Sequence, residues 1–151
     1  MSIRFRSFGT AVLLSFAVAS SLQAQQDEPK TELGKKMSAL NAAFKAVGRQ
    51  VEDPAQNAKT LEQIAVIETN AKAALALDPE KKGQIPAADQ AKFVADYKAG
   101  IKKLQGTVEQ LKAAIKAGKN ADAVKIIDEM KAEQREGHKE FRIKKAGGPS
   151  V

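Results

Sequence analysis

Apolar residues in this chain recur at alternating spacings of three and four, the period that gathers them on one face of a helix. The first such run holds Leu33, Met37, Leu40, Phe44, Val47 and Val51 and predicts a helix over 32–51. Asp53-Pro54 then reads as a start signal: the carboxylate accepts from free N–H groups of a first turn, and proline fits the first helical position. The second helix is expected to run to about Leu77 and to bury Leu61, Ile64, Ile67, Ala71 and Leu75. Two prolines and a glycine in "DPEKKGQIPAAD" (78–89) interrupt the pattern. A third stripe, Val94, Tyr97, Ile101, Leu104, Val108, Leu111 and Ile115, is the most regular in the chain. At about 29 residues this helix would be ~43 Å long at 1.5 Å per residue. Gly118 stops it, and Asn120 is expected to cap a fourth helix running to about Lys145 through Val124, Ile127, Met130, His138 and Phe141.

No stretch alternates with the period of a strand. Each short connection returns a helix along its predecessor, so the predicted fold is all-α, an antiparallel up-and-down four-helix bundle over 32–145. Ahead of it, residues 1–24 have two arginines, a short apolar run (Ala11–Ala19) and small residues before a cleavage point after Ala24. That arrangement reads as a secretory signal, too short in its apolar part for the ~20 residues of a membrane span. Residues 25–31 read as a flexible lead-in and 146–151 as a disordered tail.

Charge and cysteine narrow the chemistry. Loss of residues 1–24 leaves 23 basic against 18 acidic residues, a net charge of +5. The basic residues are interspersed with Glu and Asp and lack interleaved aromatics, which argues against nucleic acid as a partner. The chain has no cysteine, which excludes thiolate catalysis, thiolate metal sites and haem attached through Cys-x-x-Cys-His. A phosphate-binding loop, His-Glu-x-x-His and a serine in a nucleophile context are also absent, so an enzyme is not expected.

One pair stands out. In an up-and-down bundle the start of the first helix and the end of the fourth share an end. Met37 would lie ~8 Å from that end and His138, the single histidine of the chain, ~10 Å from it. A methionine on a core stripe is ordinarily filler, and a lone histidine is ordinarily solvated. A thioether and an imidazole at one level are also an axial ligand set for haem iron.

The two segments that carry this pair resemble the soluble cytochrome b562 family over about 32–142. "LGKKMSALNAAFK" has the family's Leu-x-x-x-Met-x-x-Leu-Asn pattern, and "GKNADAVKIIDEMKAEQREGHKEFR" runs from the turn glycine to His-x-x-aromatic-Arg. The resemblance implies a periplasmic b-type cytochrome, a monomer with one non-covalent haem and unknown redox partner proteins. Its iron would be held by Met37 and His138. Leu33, Leu40, Asn41, Phe44, Tyr97, Ile101 and Phe141 would line the haem, and Arg142, with Arg135, would meet a propionate. Counting back from Gly118 gives Tyr97 and Ile101 the positions of the family's two haem-packing aromatics, whereas matching by eye gives Phe93 and Tyr97. Gln134 stands where the commoner form has arginine, and Gly137 replaces a bulky neighbour of the ligand. Gly137 and the polar run 133–136 predict that the last three turns fray until iron binds the imidazole. The rival readings are a haem-free periplasmic binding or chaperone-like bundle and a sparse copper site on the same two ligands.

Overall fold

The computed structural model describes residues 31–143; the expected signal segment, most of the expected lead-in, the last two residues of the expected bundle and the expected tail lie outside the described residues. Among the described residues four α-helices run in sequence: α1 (Glu32–Gln50), α2 (Asn57–Ala74), α3 (Ala87–Lys116) and α4 (Asn120–Phe141), with no strand. Each helix packs on the next, which gives the expected antiparallel up-and-down bundle. No helix among the described residues is long and apolar enough to cross a membrane.

Local chemistry explains most of the boundaries. Thr31 caps α1 by accepting from the Gly34 amide at 3.1 Å. Asp53 accepts from the Ala55 amide at 2.9 Å and starts a 3-10 turn, Pro54–Gln56, which leads into α2. A second 3-10 turn, Glu80–Gln84, occupies the proline-rich connection. Gly118 takes φ 68°, a left-handed conformation that glycine adopts without a Cβ penalty, and α3 ends just before it.

Three expectations change. The second helix ends at Ala74 rather than Leu77, and Leu61 and Leu75 are half-buried while Ile64, Ile67 and Ala71 are fully enclosed. Asn120 is not a cap. Its amide crosses the bundle, donating to the Val51 carbonyl at 2.7 Å and to Asn57 Oδ1 at 2.8 Å. Lys119 holds the cap position without a side-chain bond. The fourth helix stops at Phe141 instead of Lys145, with Arg142 extended at φ −92° and ψ 138°. The ammonium of Lys81, on the second connection, donates to the Glu140 carbonyl, the acceptor that a continuing helix would give to its own amide four residues on.

The core follows the predicted stripes. Val47, Ile64, Ile67, Val108, Leu111, Ile115 and Met130 are at most 2% exposed. Packing is uneven around the bundle, and the α1–α4 seam is the least closely packed of the four. It is tied at one end by Asn120 and part-way along by Gln134 Nε2, which donates to Asn41 Oδ1 at 3.1 Å.

Candidate functional site

The Asn41–Gln134 bond fixes the register of α1 against α4. Asn120 meets Val51 at one level and Gln134 meets Asn41 at another, so the two helices are antiparallel across the seam. Met37 lies one turn before Asn41, and His138 lies one turn after Gln134. Residues four apart share a helix face, so both side chains stand ~6 Å beyond the tie, towards the same end of the bundle. The end of α4 at Phe141 puts His138 three residues inside the helix, or ~5 Å, instead of the ~10 Å expected. Met37 is five residues inside α1, ~8 Å from its start. The pair still shares one end.

The two candidate ligands differ in environment. Met37 is half-buried and packed on the core. His138 is exposed as a residue, not seated on the apolar stripe. Enough protein nonetheless surrounds its ring for partial desolvation to hold the imidazole pKa below the ordinary value of 6.5, with the Arg142 charge acting in the same direction. At neutral pH the imidazole is therefore mainly neutral, the form with a lone pair to give to a metal.

Behind the pair stands an apolar wall. Leu33, Leu40 and Phe44 from α1 and Tyr97 and Ile101 from α3 are buried in one continuous core cluster. Tyr97 is 3% exposed, and its hydroxyl donates to the Ala74 carbonyl at 3.1 Å. Burial, reinforced by the Asp78 charge, pushes its pKa up to about 12. Phe141, half-buried, closes the end of this wall. Its ring centroid is 5.3 Å from that of Phe93 and 5.6 Å from that of Tyr97, the latter edge-on. Tyr97 and Ile101 thus sit in the core, while Phe93 packs on Phe141 from a half-buried position. Asn41 is engaged with Gln134, and Arg142 is exposed just past the end of α4.

Two features of this end have no sequence signature. The Lys81 ammonium on the Glu140 carbonyl and the Phe93–Phe141 contact join positions 59 and 48 residues apart. They hold the last turn of α4, where Phe141 is the one apolar side chain after Gly137 and a polar run. Glu133, read as adding nothing to the core, accepts from Thr107 at 3.2 Å and meets Lys103 at 3.4 Å.

The arrangement suits a flat, apolar, iron-bearing ligand better than a bare ion. Among the described residues no three His, Asp or Glu side chains converge as a metal site. The candidate donors, one soft sulfur and one imidazole nitrogen, lie beside a loosely packed seam and an apolar wall, surroundings that suit a haem. Surface grooves at Glu68, Lys72, Gln105 and Glu109, and at Lys103, Thr107, Glu129 and Glu133, include neither candidate ligand.

No curated protein matches the chain closely enough to serve as a relative. The family model described as cytochrome b562 matches residues 32–142, from the first residue of α1 to one residue past the end of α4. With most of its length and all four of its helices inside that match, the chain belongs to the cytochrome b562 family, whose members are b-type haem electron carriers rather than enzymes.

Proposed function

We propose that this chain is an exported single-electron carrier that binds one b-type haem without a covalent link, with Met37 sulfur and His138 nitrogen as the axial ligands. The observation that carries the reading is the Asn41–Gln134 bond, which sets the helix register from which both donors are one turn removed. The absence of cysteine supports non-covalent attachment, and the character of residues 1–24 supports export.

When bound, haem supplies a one-electron iron couple. Held by both Met37 and His138, the iron would serve electron transfer rather than oxygen chemistry. The chain's own residues do the remaining work. Leu33, Leu40, Phe44, Tyr97, Ile101 and Phe141 exclude water from the macrocycle, which tunes the potential through the local dielectric. Arg142 and Arg135 offer charge-assisted hydrogen bonds to propionates. Gln134, in place of the family's commoner arginine, removes one positive charge beside the ligand and spends its amide on Asn41.

The test is haem uptake. Purified mature protein titrated with haemin should saturate at one equivalent with a low-spin, six-coordinate spectrum, and acid-acetone should extract all of the haem. An unchanged haemin spectrum at saturating protein would refute the reading, and haem that stays with the polypeptide would refute its non-covalent part.

A further inference from the structure

From Glu129 on, the charges of α4 are sorted. Glu129, Glu133, Glu136 and Glu140 follow one another at spacings of four, three and four, a single stripe along the helix, whereas nearer its start Lys125 pairs with Asp122 and Asp128 with Lys131. Glu133 fixes its direction, because it meets Thr107 and Lys103 of α3. Lys131, Arg135, Lys139 and Arg142, at spacings of four, four and three, form a second stripe. Each of Arg135, Lys139 and Arg142 follows by one residue the line of Gln134, His138 and Phe141, and Gln134 reaches α1. The basic stripe is therefore the outer flank of α4 on its α1 side.

The facing flank of α1 has the same sign. Lys45 and Arg49 follow Asn41, the partner of Gln134, at successive turns, and both are exposed. Among the described residues Lys45, Arg49, Arg135, Lys139 and Arg142 make no ion pair, and Lys131 meets only Asp128. Elsewhere the signs are mixed: Lys112 pairs with Glu68 at 2.7 Å between α2 and α3, and Lys103 with Glu133 between α3 and α4. Much of the chain's positive excess thus lies along one seam: Arg135, Lys139 and Arg142 flank His138, and Lys45 and Arg49 lie on the other side of the Asn41–Gln134 bond, away from Met37.

We infer that the outer face of α1 and α4 is a docking surface for an acidic protein that exchanges electrons with this chain. The inference rests on the proposed haem reading for the word electrons and on the charge pattern for the word acidic. Exposed like charges along one face raise the rate at which an oppositely charged partner arrives and orient it on arrival. With haem bound, Arg135 and Arg142 are engaged by its propionates, so Lys45, Arg49, Lys131 and Lys139 are the charges that orient the partner along this seam, one end of which carries Met37 and His138. A bilayer is the poorer occupant, because the one large apolar residue that is exposed among those described, Val66, is on α2 and not on this face.

The experiment uses mature protein, with and without haem, and short poly-L-glutamate as the acidic probe. A face variant (Lys45→Glu, Lys131→Glu, Lys139→Glu) is compared with a control of equal net charge (Lys59→Glu, Lys102→Glu, Lys116→Glu), whose residues are exposed on α2 and α3. At low ionic strength the face variant should bind poly-L-glutamate about tenfold more weakly than wild type or worse, while the control loses less than about threefold. Amide shifts on titration should map to 45–49 and 131–142. The haem-loaded, reduced protein should be oxidised by ferricyanide at a rate that falls with added salt, and the face variant should lose that dependence. Equal losses in face and control variants would overturn the inference, as would tighter binding to phosphatidylglycerol vesicles than to poly-L-glutamate. Failure to take up haem would instead remove the proposed function, and the poly-L-glutamate comparison would still decide the face.

Discussion

Phe141→Ala probes the least secure part of the bundle. The phenyl ring lies 5.3 Å from Phe93 and 5.6 Å from Tyr97 and is partly buried against the core. Truncating a fully buried phenylalanine costs about 3–5 kcal/mol. The partial burial of this ring reduces that to about 2 kcal/mol, of which the two aromatic pairs are a substantial part. The loss is local, because Ile127 and Met130, which anchor α4 in the core, are 2% exposed and make separate contacts. Two kcal/mol is about thirtyfold in an equilibrium constant. Under conditions where exchange reports the opening equilibrium, amides of 134–142 should therefore exchange about thirtyfold faster in the variant without haem, while those of 121–130 change little.

Lys81→Met is the companion. It removes one exposed donor from the Glu140 carbonyl and leaves the ring in place, so about 0.5–1 kcal/mol and two- to fivefold faster exchange are expected at the same amides. Haem added to either variant should restore slow exchange, since binding selects the closed end. Opening alone then lowers the apparent haem affinity of Phe141→Ala by no more than the same thirtyfold. Unchanged exchange at 134–142 in Phe141→Ala, or uniform acceleration through all four helices, would refute the idea that these contacts hold the α4 end as a local unit.

His138→Ala should cost more haem affinity than Met37→Ala, and Met37→Ala should keep haem while lowering its potential and admitting exogenous ligands, which redox titration and absorbance check. Acid should release the haem: the His138 pKa is already depressed, so the ligand is available at neutral pH and is lost as pH falls through and below that value. Tyr97 is the one tyrosine in the chain, so tyrosinate absorbance reports it alone. Its folded pKa of about 12 against an ordinary 10.0 means the folded state binds more protons between those values, and stability should fall by about 2–3 kcal/mol as pH rises through that window. Tyr97→Phe should remove the tyrosine's share of that slope, leaving the part due to the raised Lys92 and Lys112, and cost about 1 kcal/mol at neutral pH; tyrosinate forming near pH 10 with helicity intact would contradict this. Asn120→Ala should lose about 2–3 kcal/mol, or about 10 °C in melting temperature, because Val51 and Asn57 lose their partner. Asn120→Asp, which lacks the N–H donors, should not rescue it.

The sequence made the helices and their direction legible because burial on one face imposes a period that nothing else produces. The run from Val94 to Ile115 is the plainest case. The placement of Met37 and His138 at one end of the bundle is legible for a related reason: topology alone brings the start of α1 and the end of α4 together. What stayed hidden depends on partners far along the chain. Asn120 has the right chemistry for a cap, but a cap offers its side chain one local bond. The cross-bundle position offers Val51 and Asn57, two acceptors at 2.7 and 2.8 Å. The helix end at Phe141 was missed because its carbonyl acceptor is claimed by Lys81, which no window on α4 contains. Gln134 looked like a departure from the family pattern, and its distance of 93 positions from Asn41 conceals their bond.

That bond also explains why the seam remains loose. Large apolar side chains at Asn41 and Gln134 would draw α1 and α4 together by burying area. Two half-buried amides share one hydrogen bond at 3.1 Å and provide little such drive. The tie therefore fixes register without closing the gap, and the Met37–His138 end beyond it has no hydrogen bond between α1 and α4 among the described residues. A bundle meant only to be stable would fill this seam as it fills the one between α1 and α2. Keeping register while forgoing closure makes sense if another apolar body completes the core at that end. On this argument Asn41→Leu with Gln134→Leu should raise the stability of the protein without haem and weaken haem binding. A double variant that gained both, measured by denaturation and haemin titration, would show that the looseness of the seam serves no ligand.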